Sequence, residues 1–274
     1  MSASDKRPAR DQTSMDQHRI DQHLIDPASP VNDPMAVSSA PMAQELSDVR
    51  DTLARRLRPD SPPLPRSDMS PSLSYGRHRG PWRYGSRHAA VLIAIYRDQK
   101  VDQRQGQWTI PLTRRPSTLK HHGGQICLPG GQVERGENAL QAALREFEEE
   151  LGVTPEQVFH CGELDTQYVY NSDNRVHPVV VLISPPRQPW RPDPVEVSEV
   201  ITLPVKVLSS TSNRCEYVKE RPVRKKGTQI GSFQFRAATI EHKDHQIWGA
   251  TALILDQFAR VIRDLRMMLP AGFA

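Results

Sequence analysis

The sequence has few cysteines, few aromatic residues and no long apolar run. Its 3 cysteines among 274 residues show no CxxC spacing, so we expect free thiols in a reducing compartment rather than a zinc cage. No apolar run approaches the roughly 20 residues of a membrane-spanning helix. The N-terminus also lacks the apolar stretch of a secretory signal. We therefore expect no membrane partner and, by default, a cytoplasmic location.

The charge balance is modest. The formal net charge is +4 and the aromatic fraction is 6%. So small a positive excess does not demand nucleic acid as a partner, and so few aromatic residues provide little platform for stacked bases. The composition gives no reason to expect a nucleic-acid partner, it is compatible with an anionic substrate, and it leaves a homodimer open.

Proline is concentrated in the first part of the chain. Eleven of the 24 prolines precede Trp82, with Asp, Ser, Gln and Arg between them. Such a segment cannot bury enough apolar surface to offset its chain entropy. We expect residues 1–80 to form a disordered extension and residues 81–274 to form the folded domain. Weak helical spacing over residues 42–57 favours a transient helix in the extension over a helix docked on the domain.

Beyond residue 87, strand and helix patterns are mixed. The run HAAVLIAIYR at 88–97 is apolar and β-branched, which is typical of a strand covered on both faces. Residues 137–151 have the apolar period of a helix. Together these patterns predict an α/β layered fold. Further strands are expected at 107–115 (with Pro111 indicating an edge or bulge), 158–170, 176–184 and 231–238, a turn of helix after Pro204, and a closing helix at 248–269.

Acidic residues crowd one flank of the helix at 137–151. At about 100° per residue, its apolar side chains form a stripe that must face a core, and Glu146, Glu149 and Glu150 fall beside that stripe. Like charges at these spacings destabilise a helix, and a bound cation would reverse that penalty. Carboxylates are hard ligands that suit Mg²⁺. An isolated run of this kind is more often a solvated face, so the residues around it decide between the two readings.

The neighbouring residues favour a metal site. Arg145 lies one turn before Glu149 and can pair with it or with Glu137, which would hold a carboxylate in place. Gly130 and Gly131 precede the helix, in a loop where backbone can approach a metal or a phosphate. The Gly131 carbonyl is a plausible extra ligand.

This array resembles the Nudix box, G-x5-E-x7-R-E-U-x-E-E-x-G-U with U apolar. The resemblance implies an α/β/α sandwich with a mixed sheet, and hydrolysis of a nucleoside diphosphate linked to another moiety. It also implies that Glu146, Glu149 and Glu150 hold Mg²⁺ or Mn²⁺. Every defined position is matched: Gly131, Glu137, Arg145, Glu146, Phe147, Glu149, Glu150, Gly152 and Val153.

The segment before the box resembles the coenzyme A diphosphatase signature, L-L-T-x-R-[SA]-x3-R-x3-G-x3-[FL]-P-G-G. Pro111, Pro116 and Lys120 depart from it, and the lysine lacks the bidentate fork with which arginine holds phosphate. These departures bear on affinity and substrate preference rather than on the chemistry. The matching positions are Leu112, Thr113, Arg115, Gly124, Leu128, Pro129, Gly130 and Gly131.

Three later segments resemble the same subfamily: RVHPVV at 175–180, DPVEVSEV at 193–200 and IWGATA at 247–252. The second makes Glu196 a further candidate ligand or general base. Basic residues over 114–122 form a cationic stretch that could hold phosphates beside the acidic helix. The residues expected to bind substrate are Arg115, Lys120, Thr113, Gly124 and Gly130.

The subfamily resemblance implies hydrolysis of coenzyme A or an acyl-CoA to 3′,5′-ADP and 4′-phosphopantetheine or its acyl form. Metal-assisted attack of water would cleave the diphosphate. The general base stays open among Glu149, Glu150 and Glu196. Two alternatives are a broader hydrolase acting on NADH, nucleoside diphosphate sugars or deoxynucleotides, and a silent nucleotide-binding regulator. The expected catalytic residues are Glu149, Glu150, Glu146, Arg145 and Glu196.

Overall fold

The computed structural model describes residues 40–67, 69, 81–99, 106–119, 122–170, 172–225 and 227–273. Within these ranges the chain forms four helices and eleven strands. The helices are α1 (Ala40–Arg56), α2 (Ala139–Leu151), α3 (Val205–Ser209) and α4 (Ala250–Asp264). The strands are β1 (Arg87–Asp98), β2 (Gln107–Arg114), β3 (Ile126–Cys127), β4 (Gly130–Gln132), β5 (Val158–Glu163), β6 (Gln167–Val169), β7 (Asn174–Ile183), β8 (Glu199–Pro204), β9 (Arg214–Lys225), β10 (Thr228–His242) and β11 (His245–Trp248).

Eight strands form one mixed sheet around β1. This strand pairs in parallel with β7 along most of its length. Its other edge pairs antiparallel with β4 near its start and with β2 near its end. The main order is β3-β2-β1-β7-β5, with β8 beside β2 and β6 beside β7. The register leaves Pro111 of β2 between the segments that pair with β1 and β3, so this stretch is open on one side, as a residue without an N–H requires.

Helices cover both faces of this sheet. Side chains alternate along a strand, so Leu92 and Ile93 of β1 enter different cores. Leu92 packs with Phe147 of α2 in one core, and Ile93 packs with residues of α1 and α4 in the other. The predicted α/β/α sandwich with a mixed sheet is confirmed. In the described part of the chain, no helix is long and apolar enough to cross a membrane.

A second, antiparallel sheet of β9, β10 and β11 is joined to α4 by a buried ion pair. Arg214 at the start of β9 donates to Asp256 of α4 from Nε at 3.0 Å and from Nη2 at 2.6 Å. Arg260 donates to the other oxygen of Asp256 at 3.0 Å. Burial opposes ionisation of Asp256, but these hydrogen bonds outweigh it and lower the pKa of the carboxyl. The contacts fix the small sheet against the sandwich.

The expectation of a transient helix at 42–57 is wrong. Helix α1 packs on the sandwich, with Val49 and Leu53 fully buried in the same core as α4. Glu45 forms an ion pair with Arg97 of β1. At its end, α1 lies against Gly162, where a Cβ would stand 2.6 Å from Leu57 Cβ and φ is +134°. The packed unit therefore includes residues before the boundary expected near residue 80, while residues 1–39 lie outside the described ranges.

Other differences concern the lengths of strands. Residues 158–170 form two strands rather than one, because the register shifts near Gly162 and the Leu164 N–H turns to the Pro178 carbonyl. The strand predicted at 231–238 is the middle of the longer β10. Its partner β9 was missed because charged residues dilute its apolar pattern. The turn of helix after Pro204 is confirmed as α3.

We expect Leu53→Ala to lower the free energy of unfolding by about 2–5 kcal/mol, because it removes a fully buried side chain and leaves a cavity. The matched control is Met42→Ala on the exposed part of the same helix, which should change stability by about 0.5 kcal/mol or less. Urea unfolding of both variants checks this. Equal, small effects would show that α1 does not contribute to the core.

Candidate active site

Helix α2 carries the acidic flank, and both of its ends are fixed by local hydrogen bonds. Asn138 caps its start: its Oδ1 accepts from the Gln141 N–H, and Gln141 Oε1 accepts from the Asn138 N–H, each at 2.9 Å. Gly152 ends it in the left-handed conformation, φ +63°, and donates to the Glu148 carbonyl. The helix therefore begins at Ala139, two residues later than the apolar period indicated. Sequence reasoning missed this capping pair, although the N-x-x-Q spacing is visible.

Arg145 joins the loop before α2 to the acidic flank. Its Nε donates to Glu137 Oε1 at 2.8 Å, and its Nη2 donates to the Gln132 carbonyl at 3.0 Å. Its Nη1 lies 3.0 Å from both Glu146 Oε1 and Glu149 Oε2. Arg145 therefore contacts Glu137 and Glu149, the two partners that the sequence spacing predicted, and it also contacts Glu146. This side chain orients carboxylates; in the described structure its donors are directed at protein atoms.

Glu150 is the buried member of the acidic flank, only 3% exposed. Thr113 Oγ1 donates to its Oε2 at 3.4 Å. Burial raises the pKa of Glu150 to about 8, with the negative charge of Glu146 adding to the rise and the positive charge of Arg115 opposing it. A hydrogen bond from the Gly130 backbone also opposes the rise. Ionisation of Glu150 therefore costs free energy unless a nearby cation compensates the negative charge.

Glu146 lies against the glycine loop. A Cβ on Gly131 would stand 2.1 Å from Glu146 Oε1, so any larger residue at this position would displace the carboxylate. Burial raises the pKa of Glu146, the ion pair with Arg145 lowers it, and the charges of Glu149 and Glu196 raise it again. Glu196 belongs to the turn that follows Asp193, whose carbonyl accepts from the Glu196 N–H at 3.1 Å. Four carboxylates thus interact at one site.

This donor set fits a hard divalent cation. It provides carboxylates that repel one another, one of them buried, next to a backbone that can approach closely. Among the described residues, no three acidic, histidine or cysteine side chains already stand at metal-coordinating spacing. Glu146 and Glu149 instead form ion pairs with Arg145, because its guanidinium offsets the repulsion between the two carboxylates.

The residues expected to bind substrate fall into two groups. Arg115 lies at the end of β2 and interacts with the charge of Glu150. Gly124, φ +73°, closes the loop after it by donating from its N–H to the Arg115 carbonyl at 3.0 Å. Thr113 and Gly130 are instead directed at Glu150, so they support the acidic flank. Lys120 lies outside the described residues.

Sequence reasoning also missed a polar link between the acidic site and the small sheet. Arg114, next to Arg115, donates from Nη1 to Glu199 Oε2 at 3.0 Å. The other oxygen of Glu199 lies 3.3 Å from His245 Nε2 on β11. No sequence pattern pairs these positions, because they come together only when β2, β8 and β11 meet. Arg114 is therefore engaged within the protein.

Comparison with known proteins identifies a family. A family model of the NUDIX domain matches residues 86–221. Nudix hydrolase NudL of Photorhabdus laumondii is 33% identical over 181 residues, 65% of this chain and 86% of that protein. Mitochondrial Nudix hydrolase 15 of Arabidopsis thaliana is 32% identical over 185 residues, 67% of this chain and 61% of that protein's length. A solved MutT/nudix family protein from Enterococcus faecalis has a TM-score of 0.42 at 17% identity, covering 70% of this chain and 67% of that one.

The family model and the sequence relatives define an enzyme that hydrolyses nucleoside diphosphate derivatives. The chain belongs to the Nudix hydrolase family. Hydrolases of this family generally use divalent metal ions such as Mg²⁺ or Mn²⁺, which is consistent with the donor set on α2.

We expect Glu150→Gln to stabilise the metal-free protein, and to do so more at high pH. The fold keeps Glu150 protonated up to about pH 8, whereas its ordinary pKa is 4.5. Folding therefore takes up a proton between these values, and stability from this group falls as pH rises through that window. The gain from the neutral isostere should be on the order of 3 kcal/mol larger at pH 8 than at pH 5.

Urea unfolding in EDTA at the two pH values measures this difference. Glu148→Gln is the matched control, since Glu148 lies on the exposed side of the same helix and should show no such pH-dependent gain. A pH-independent effect of Glu150→Gln would mean that this carboxyl ionises normally in the folded protein.

Proposed function

We propose that this Nudix hydrolase cleaves the diphosphate linkage of coenzyme A or an acyl-CoA, giving 3′,5′-ADP and 4′-phosphopantetheine or its acyl form. The observation that carries the proposal is the pairing of a partly buried carboxylate cluster on α2 with Arg115 at the end of β2. The segment from Leu112 to Gly131, which resembles the coenzyme A diphosphatase signature, contains Arg115 and precedes the acidic helix in the sequence. A small-molecule substrate with several phosphates fits an acidic metal site beside a cationic stretch.

In this proposal Glu146, Glu149, Glu150 and the Gly131 carbonyl hold Mg²⁺ or Mn²⁺. A divalent ion bound there would polarise the phosphoryl group and lower the pKa of the attacking water. Arg145, tied to Glu137 and to the Gln132 carbonyl, keeps the carboxylates oriented. Without this support the carboxylates would spread apart under their mutual repulsion.

The residue that accepts the proton of the water must combine a free carboxylate with access to solvent. Glu149 is 59% exposed at its side chain, whereas Glu150 is buried against Thr113. Glu196 interacts electrostatically with both Glu146 and Glu150 from the neighbouring turn. Glu149 and Glu196 are both exposed, so the general base stays open between them, with Glu150 as the third candidate.

The phosphates of the substrate need a cation that the protein does not already use. Arg114 is paired with Glu199 at 3.0 Å. Arg115 makes no ion pair with another side chain within the described residues, and its charge is directed at the acidic site. We therefore assign phosphate contact to Arg115, with Lys120, five residues later in the sequence, as a second cation. Each would neutralise charge that develops as the diphosphate is attacked.

We expect Glu149→Gln to lower kcat by about 100-fold or more while leaving the fold intact, because a neutral amide can neither accept the proton nor bind a cation strongly. The control is Glu148→Gln, one residue away but on the exposed side of α2. It should retain wild-type turnover. Undiminished kcat in Glu149→Gln would remove this side chain from the mechanism.

We further expect kcat/KM for coenzyme A or acyl-CoA to exceed that for NADH, nucleoside diphosphate sugars and deoxynucleotides by about tenfold or more. Arg115→Ala should lower kcat/KM for coenzyme A or acyl-CoA by about 10–100-fold. Mass spectrometry of the products with Mg²⁺ present identifies the bond that is cut. A higher value for NADH or a nucleotide sugar would favour the broader hydrolase. No turnover of any substrate would favour the silent regulator.

A further inference from the structure

The segment that leads into β1 combines arginine, aromatic and glycine residues without any acidic residue. Residues 75–88 read YGRHRGPWRYGSRH, with four arginines, three aromatic residues and three glycines. Arginine–glycine segments and aromatic side chains beside positive charge are features of proteins that bind single-stranded nucleic acid without sequence preference. The structure describes this segment from residue 81 onward. It is separate in the sequence from the acidic flank and from the cationic stretch at 114–122.

The fold attaches this segment to the turn between β6 and β7. Tyr168 of β6 is buried, and its ring makes T-shaped contacts with Trp82 at 6.5 Å and with Tyr170 at 6.2 Å between centroids. The Tyr168 hydroxyl donates to Asp173, whose carboxylate also accepts from Ser86 Oγ at 3.2 Å. Trp82 and Tyr170 are therefore fixed in place, although they are 39% and 46% exposed.

Arginine side chains lie over these two rings. The Arg83 guanidinium is 4.4 Å from the centroid of the Tyr170 ring, and the Arg175 guanidinium is 5.5 Å from the Trp82 centroid. Arg87 donates to a backbone carbonyl of the same turn at 2.9 Å. Within the described residues, none of these three arginines forms an ion pair with a carboxylate. Their charges can contact phosphate, and bases stack on guanidinium planes as they do on rings.

Tyr84 completes an open surface rather than a cavity. It follows Arg83 in the chain and is fully exposed, so both faces of its ring are accessible. A free nucleotide needs a concave site that encloses most of its surface. A single strand instead gains about 1–3 kcal/mol from each base that stacks on an aromatic side chain, and several such contacts add up along the chain. The open shape therefore favours a polymer over a mononucleotide.

We infer that this aromatic–arginine surface binds single-stranded nucleic acid. Its residues are Trp82, Arg83, Tyr84, Arg87, Tyr170 and Arg175. Bases stack on the exposed rings and guanidinium planes, and phosphates contact the arginines. Every base and both sugars allow these contacts, so binding is independent of sequence and similar for RNA and DNA. The overall composition gave no reason to expect this partner, because the fold gathers on one surface residues that are few in the whole chain.

The test is fluorescence anisotropy of the full chain with labelled oligouridylate and oligothymidylate of about 12 nucleotides. EDTA keeps the acidic site free of metal. We expect saturable binding of both single strands, and binding of a duplex of the same length that is weaker by about tenfold or more, because its bases are already stacked. Raising NaCl from about 50 to about 200 mM should weaken single-strand binding by about tenfold or more, since about three phosphates release counterions.

Two variants at exposed positions of the surface locate the binding. Tyr84→Ala should weaken it by about fivefold or more. Arg83→Gln should weaken it and make it less dependent on salt, because one phosphate contact is lost. The matched controls are Phe233→Ala, which removes an exposed ring from β10, and Arg187→Gln, which removes an exposed arginine paired with Glu156. Both should bind the single strands as the wild type does.

Glu149→Gln separates this surface from the acidic site and should bind the single strands with unchanged affinity. Loss of binding in Glu149→Gln would place the nucleic acid at the acidic site and overturn the inference. Absence of binding to the wild type, equal affinity for the duplex and the single strands, or wild-type affinity in both Tyr84→Ala and Arg83→Gln would overturn it as well. None of these results depends on whether coenzyme A is a substrate.

Discussion

Repulsion among carboxylates on one flank of α2 is the constraint on which the rest of the site depends. Helix α2 packs its apolar stripe on β1, and Arg145 pairs with Glu146 and Glu149, so these carboxylates stay close together even though the Glu149 side chain is 59% exposed. Burial of Glu150 makes its ionisation costly and raises its pKa to about 8. A helix that is merely acidic and solvated would have none of these features. A bound cation would compensate the negative charge of these carboxylates and remove the cost of their repulsion.

The fold brings three separate segments of the chain to the acidic flank of α2. Strand β4 places Gly131 against Glu146, where a side chain would displace the carboxylate. The end of β2 brings Thr113 and Arg115 to Glu150, one as a hydrogen-bond donor and the other as a compensating charge. The turn before β8 adds Glu196. Each segment is held by the central sheet, so the charges stay close together because the core does not allow them to separate.

The sequence already brings the residues of the acidic flank together because they are close along the chain. The acidic flank, Arg145 and Gly131 lie within one loop and one helix, so helical spacing alone places them together. The central strand was equally clear from its unbroken apolar run. Helix α1 was misjudged because its few apolar side chains lie in a proline-rich segment. Their burial depends on contacts with distant parts of the chain, such as that of Leu57 with Gly162. Contacts such as Arg114 with Glu199 and His245, or Gln257 with Asp165, join distant segments and leave no periodic signal.

The measurement that tests the central claim most directly is a titration of the purified protein with Mn²⁺, followed by the loss of the free-ion signal in electron paramagnetic resonance. The account predicts saturable uptake by the wild type that competes with Mg²⁺, and strongly weakened uptake in Glu146→Gln and in Glu150→Gln. If the wild type bound no Mn²⁺, or if both variants bound it as tightly as the wild type, the acidic flank would not be a metal site and the account would be contradicted.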